Sequence, residues 1–215
     1  MSDEQSRRQA LRIAALAAIG VLTPTRILHA ASLVTTPSTT LGPFYPRELP
    51  LEDDNDLTRV KGASGVAKGV ILDLTGRVLD ASGRPLANTQ VEIWQCNAFG
   101  RYHHPDDHSN APLDPSFQGF GKTITDGDGR YRFRTIRPVP YPGRTPHIHF
   151  KLASRSFGTF VTQMFVAGEP GNDRDYLFRR MQEDRKHKAS VVALKSSDPS
   201  GAALSGEFEI VLAAM

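Results

Sequence analysis

The sequence predicts an all-β fold, a β-sandwich, on three observations. Short runs rich in Val, Ile, Thr and aromatic residues alternate apolar with polar positions, as in Thr89–Cys96 (TQVEIWQC). Turn sequences separate these runs, Ala81–Pro85 (ASGRP) and Asp126–Gly129 (DGDG) being the plainest. Only one stretch, Asp173–Met181, reads as a helix. With 215 residues, 39% hydrophobic and 23% charged, the chain is long enough for one soluble domain with a proper core. No repeat of 20–50 residues is visible, which excludes a solenoid.

The chain opens on an address. Arg7, Arg8 and Arg12 precede the apolar run Ile13–Leu22, and the small residues Ala30, Ala31 and Ser32 follow. A charged region, a short apolar region and a small-residue exit describe a signal peptide over 1–31, and the paired arginines point to the twin-arginine export machinery. The run is far shorter than the ~20 apolar residues a membrane span needs, so no stable membrane insertion is expected. A periplasmic or otherwise exported location follows. Without these residues the charge is close to balanced and no basic stripe remains, so nucleic-acid binding has no support.

Residues 32–68 are polar and Pro-punctuated and read as an N-terminal arm, with a solvated acidic knot at Glu52–Asp56. The β domain is expected over 69–215. Val70–Leu74 and Gly76–Asp80 read as strand, Thr89–Cys96 as a half-buried strand, and Asn97–Gln118 as a polar loop. Lys122–Thr125 and Tyr131–Thr135 form a hairpin about the Asp-Gly turn. Thr159–Val166 is the next strand, then the helix with Asn172 or Asp173 as its cap, then closing strands at Lys188–Leu194 and Glu207–Leu212. The single cysteine, Cys96, excludes an internal disulfide and reads as a small core hydrophobe.

The chemistry concentrates in Arg137–Phe150, RPVPYPGRTPHIHF. On a strand, His147 and His149 share a face, and Tyr141 stands near them on a Pro-stiffened loop. Two imidazoles and a phenol make a metal nest; a phenolate needs a strong Lewis acid to ionise at neutral pH, so Fe(III) is the natural candidate. The residues alone leave a second reading open, in which His-x-His is a half-exposed strand pair and Tyr141 packs in a turn. A second phenol, Tyr102, follows the Trp94 strand.

Four segments in order, TPSTTLGPFYP, VEIWQCNAFGRYHHPDD, APLDPSFQGFGKTITDGDGRYRFRTIRPVPYP and RTPHIHF, resemble the intradiol ring-cleaving dioxygenases, nearest to their protocatechuate 3,4-dioxygenase branch. The resemblance covers about residues 36–170. It implies that Tyr102, Tyr141, His147 and His149 are the protein ligands of a non-haem Fe(III), with Tyr141 the ligand that leaves when substrate binds. It further implies that Arg144 is the active-site arginine, Gln163 the glutamine of the next strand, and Trp94 a pocket wall. Tyr45 of the GPFY arm and Phe165, where some relatives carry tyrosine, are pocket candidates. The implied partners are a catechol-type substrate and O2, the implied product a cis,cis-muconate-type diacid. His103, His104 and His108 read as solvated loop residues.

Two departures stand out. The insert that better-known protocatechuate enzymes carry after the second tyrosine is missing, leaving Pro142-Gly143 before Arg144, which should open the pocket. The chain also has no room for the helical dimerisation domain of the catechol and hydroxyquinol branches, and a homo-oligomer stays open. Two other classes compete: a non-catalytic transthyretin-like β-sandwich, suggested by Gly76–Leu86, and, last, a His-rich zinc hydrolase that lacks the usual carboxylate base.

Overall fold

The computed structural model describes residues 33–50, 53–183 and 187–213. The segment read as a signal peptide lies outside the described residues. The strands are β1 (Ile71–Asp80), β2 (Gln90–Trp94), β3 (Phe120–Ile124), β4 (Arg130–Ile136), β5 (His147–Ser154) and β6 (Gly158–Val166), then β7 (Val191–Val192), β8 (Lys195–Ser196), β9 (Ala203–Glu207) and β10 (Ile210–Leu212). A helix, α1 (Tyr176–Glu183), lies between β6 and β7.

The strands form two sheets. In the first, β1 pairs antiparallel with β4 on one side and parallel with β9 and β10 on the other, and β8 joins β9. The second runs β3-β2-β5-β6-β7. Leu72, Leu74 and Val78 of β1 and Phe133 of β4 pack in one buried cluster with Val91 and Ile93 of β2, Ile148, Phe150 and Leu152 of β5, and Met164 of β6. Burying each such side chain contributes roughly 1.5–3 kcal/mol, which makes this apolar layer the main source of stability. Strand alternation then puts His147, His149 and Lys151 on the opposite, outer face of the second sheet.

That outer face is covered by the arm and the loops. Thr36 N donates to Val211 O (2.8 Å), Thr39 N to Val161 O (2.8 Å) and Thr162 Oγ1 to Pro37 O (2.8 Å), so the arm runs past β10 and onto β6. Residues 53–58 do more than the solvated knot expected of them. Lys122 N donates to Asp53 O (2.7 Å), Leu57 N donates to Arg134 O (2.8 Å), and the Leu57 side chain is fully buried. The segment therefore laces the β3 edge to β4.

Three other expectations need correction. The helix begins later than read, because Asp175, and neither Asn172 nor Asp173, caps it: Asp175 Oδ1 accepts from Leu177 N and Phe178 N, both at 3.0 Å. A short 3₁₀ turn occupies Asn172–Arg174. The strand expected at Lys188–Leu194 shrinks to β7, since His187–Ser190 is also 3₁₀. Glu207–Leu212 is broken at Phe208 and Glu209, and the strand before the break, β9, went unread. Gly206 hides it. A Cβ there would lie 2.9 Å from Leu194 Cδ2, so packing demands the residue with the weakest strand signal.

Candidate metal and substrate site

The site is assembled on the outer face of the second sheet around one rung. Trp94 of β2 stands opposite His149 of β5, and Gln163 of β6 stands on its other side. The indole stacks on the His149 ring at 4.7 Å and 12°. Gln163 Nε2 lies 3.3 Å from His149 Nδ1. One step along β5, His147 Nδ1 donates to Thr145 O (2.7 Å), which leaves Nε2 as the lone-pair nitrogen. It faces His149 Nε2 at 3.2 Å.

Each tyrosine comes from a loop with its own fastening. Tyr102 follows a tight turn in which Asn97 Oδ1 accepts from Phe99 N and Arg101 N, and Asp107 Oδ2 accepts from Tyr102 N at 2.7 Å. Gly100, at φ 78°, lets this turn touch the second loop, for a Cβ there would sit 3.0 Å from Pro140 O. Tyr141 opens a four-residue turn closed by Arg144 N donating to Tyr141 O (2.9 Å). Pro142 and Gly143 (φ 80°) are the central residues such a turn favours. The two phenol rings meet edge to face at 5.4 Å, Tyr141 lies 5.4 Å from the His147 ring, and Tyr102 lies 6.3 Å from His149. All four sequence-derived donors thus converge.

The turn also aims Arg144. Its Nη2 donates to Gln163 Oε1 (2.7 Å), its Nη1 lies 3.3 Å from Tyr141 Oη, and its Nε donates to Asp175 Oδ2 (2.8 Å). Asp175 was missed by the sequence reading, and its side chain is fully buried. The signal was there: an aspartate directly before Tyr176-Leu177-Phe178, at N-cap spacing.

The arm closes the site from above. Gly42, at φ 73°, lies so close that a Cβ would meet His149 Cε1 at 3.2 Å. Phe44 stacks on Tyr102 at 4.5 Å, and Tyr45 stands edge-on to Trp94 at 5.0 Å. The Tyr45 hydroxyl is engaged elsewhere, donating to Glu92 Oε2 (2.8 Å) and accepting from Lys151 Nζ (2.7 Å). Phe165 is fully buried in a cluster with Phe178 and Met181 and meets the site through the His147 ring at 5.9 Å. His103 and His108 are exposed, but the His104 side chain is only 4% exposed and packs edge-on against Phe44, so its reading as a solvated residue is corrected.

Burial dictates the protonation states. It pushes the His147 pKa down to about 3, with help from the Arg144 charge, and drives His149 well below its ordinary value. Both rings are neutral and carry free lone pairs. Burial raises Tyr102 well above the usual phenol range, and Tyr141 rises too, partly offset by Arg144. Tyr102 Oη has no hydrogen-bond partner of ordinary geometry among the described residues, a costly arrangement for a buried hydroxyl. Among those residues no three His, Cys, Asp or Glu side chains converge as a metal site, and the side-chain oxygens beside the two imidazoles here include both phenols. Two neutral imidazoles and two phenols that only a strong Lewis acid would ionise fit ferric iron.

A two-sheet β fold with this site on one outer face belongs to a class of ring-cleaving oxidoreductases, and comparison with known proteins agrees. The dioxygenase domain of a dioxygenase–carbohydrate-binding fusion from Streptomyces sp. SirexAA-E superposes with a TM-score of 0.65 at 28% identity, over 84% of this chain and 99% of that one. The chain matches the Dioxygenase family over residues 41–213, and it belongs to that family, the intradiol dioxygenases. It is 44% identical over 167 residues to the protocatechuate 3,4-dioxygenase beta chain of Burkholderia cepacia, covering 74% of this chain and 71% of the relative. It is 32% identical over 165 residues to a catechol 1,2-dioxygenase of Candida albicans, covering 66% and 51%. The chain therefore spans about half the length of that relative. The non-catalytic sandwich reading is set aside.

Proposed function

We propose that the chain is an exported non-haem Fe(III) intradiol dioxygenase that cleaves a catechol-type ring with O2 between its two hydroxylated carbons, giving a cis,cis-muconate-type diacid. The observation that carries the proposal is the convergence of Tyr102, Tyr141, His147 and His149 beneath Gly42. Those four residues would hold the iron, whose Lewis acidity would ionise the phenols and make the bound catechol reactive toward O2.

The remaining work falls to the chain. The catechol oxygens would enter beside Tyr141; Tyr141 Oη, ionised when iron is bound, would take one substrate proton as its ring turns aside, and the second would pass to hydroxide drawn from solvent. Its turn sits at the surface of the site, whereas Tyr102, buried under Phe44, stays in place. Arg144, preset by Asp175 and Gln163, offers a fixed positive charge to the anion that develops on the substrate. Trp94, Phe44 and Gly42 exclude water from the reacting face. The short Pro142-Gly143 turn, without the insert of better-known protocatechuate enzymes, would open the pocket beside Tyr141, which favours catechols with a ring substituent larger than the carboxylate of protocatechuate. Export is supported by the paired arginines and the apolar run at 13–22.

Purified protein should be red-brown from tyrosinate-to-iron charge transfer, hold iron equimolar with chain, and consume O2 with a panel of catechols to give ring-opened diacids. A protein that stays colourless and inert after ferric reconstitution would sink the proposal.

A further inference from the structure

One rung beyond the donor cluster, on the same outer face, lies a polar triad, centred on a buried carboxylate, that the proposed chemistry does not use. Glu92 of β2 stands opposite Lys151 of β5, next to the Trp94–His149 pair. Glu92 Oε2 accepts from Lys151 Nζ (3.1 Å) and from Tyr45 Oη (2.8 Å), while Gln90 Nε2 donates to Oε1 (2.6 Å). The Glu92 side chain is 3% exposed and that of Lys151 21%. Tyr45, the third member, belongs to the arm.

Its position matters because the roof has few other fastenings. Thr39 is tied to Val161 through the backbone, and Arg47 pairs with Asp106 through side chains that are 65% and 43% exposed. An ion pair that open to solvent contributes little. Between these points, among the described residues, no hydrogen bond other than those of Tyr45 joins residues 41–46 to the sheet. Gly42 over His149 and Phe44 over Tyr102 rest there by contact alone.

We propose that Tyr45, Glu92 and Lys151 form a latch that holds the N-terminal arm closed as the roof of the site, with Tyr45 as a positioning residue. Its consequence for substrate rests on the function proposed above; the latch itself does not. With the latch broken the roof opens part of the time, and substrate must select the closed form. KM rises as the closed fraction falls, while kcat in the closed complex is preserved.

Trp94 is the only tryptophan in the chain and touches Tyr45 directly, so its fluorescence reports the arm without iron. In iron-free protein, Tyr45→Phe keeps the ring and cuts both hydrogen bonds. It should increase acrylamide quenching of Trp94 and speed hydrogen exchange at the Thr39 amide, which is bonded to Val161 O. In reconstituted protein, if the closed arm falls to about a tenth of molecules, KM for catechol rises about tenfold with kcat within about twofold. Lys151→Met should behave alike, and it replaces Tyr45→Phe as the test if that variant loses its β spectrum. Lys151→Arg, which keeps donor and charge, should restore the wild-type signals, and Arg47→Ala should leave them unchanged. Unchanged quenching and exchange in Tyr45→Phe would overturn the latch, as would a kcat loss with the arm signals unmoved. Wild-type protein that cleaves no catechol while the arm signals respond would instead overturn the proposed function and leave the latch standing.

Discussion

Tyr102 and Tyr141 are one side chain in two mechanical settings. Tyr102 is 4% exposed, stacked under Phe44, and fixed through its backbone amide by Asp107. Tyr141 is half-buried at the start of a four-residue turn, with the Arg144 guanidinium beside its oxygen. Burial raises both phenols and the Arg144 charge opposes it at both, but at Tyr141 that charge is the largest opposing influence and is joined by a hydrogen bond to the phenol oxygen. Tyr141→Phe should therefore keep most of its iron, shift the visible band, and lower turnover by roughly 10²–10⁴, the usual worth of a positioned proton acceptor. Tyr102→Phe should lose iron as well as colour. Metal analysis and spectra of the two variants side by side decide this: equal iron loss in both would remove the distinction.

Helix α1 reaches the chemistry through one carboxylate. Asp175 caps the helix with Oδ1, while Oδ2 accepts from Arg144 Nε and from Thr145 N, the residue whose carbonyl sets His147. Burial would raise its pKa, but the amides of Phe178 and Thr145 and the Arg144 charge pull it below the ordinary value. The ionised form is thus the stabilised one, so its contribution is complete above the unfolded-state pKa and is lost as pH falls through the folded one. Asp175→Asn should cost roughly 3–5 kcal/mol at neutral pH, the range for leaving a buried charge unpaired. Denaturation across pH should show the gap to wild type closing in acid. A constant gap would mean that the cap, and not the charge, matters. This carboxylate also marks where sequence reading stops. His147, His149 and Trp94 were legible because strand alternation fixes which way they point, and the Pro142-Gly143 turn because its residue types name its geometry. Glu92 facing Lys151 and Asp175 facing Arg144 arise from pairings across segments distant in sequence, which no local pattern encodes. The C-terminal strands failed for a related reason: β7 is two residues long, and β9 carries a glycine that packing required.

At the scale of the molecule, stability and chemistry occupy opposite faces of one sheet. The apolar layer between the sheets draws its members from residue 57 onward and includes none from residues 33–50 of the arm, whereas the roof over His149 and Tyr102 comes from residues 42–45 of that stretch. The sandwich supplies the rigidity that keeps the two imidazoles in register, and the arm supplies the enclosure, so the two can be separated by deletion. A chain starting at Leu33 should fold and bind iron. One starting at Arg47 loses the Thr36–Val211 and Thr39–Val161 backbone bonds together with the roof, yet keeps the interior layer intact. It should retain the far-ultraviolet β spectrum and a cooperative melt, at a lower Tm, while failing to hold the red-brown colour after gel filtration. Ferric iron with phenolate ligands depends on a site shielded from water, where charge interactions are strong, and the arm provides that shield. A shortened chain that keeps full colour and turnover would show that the sheet and its two loops suffice, and one that fails to fold would show that the arm belongs to the core.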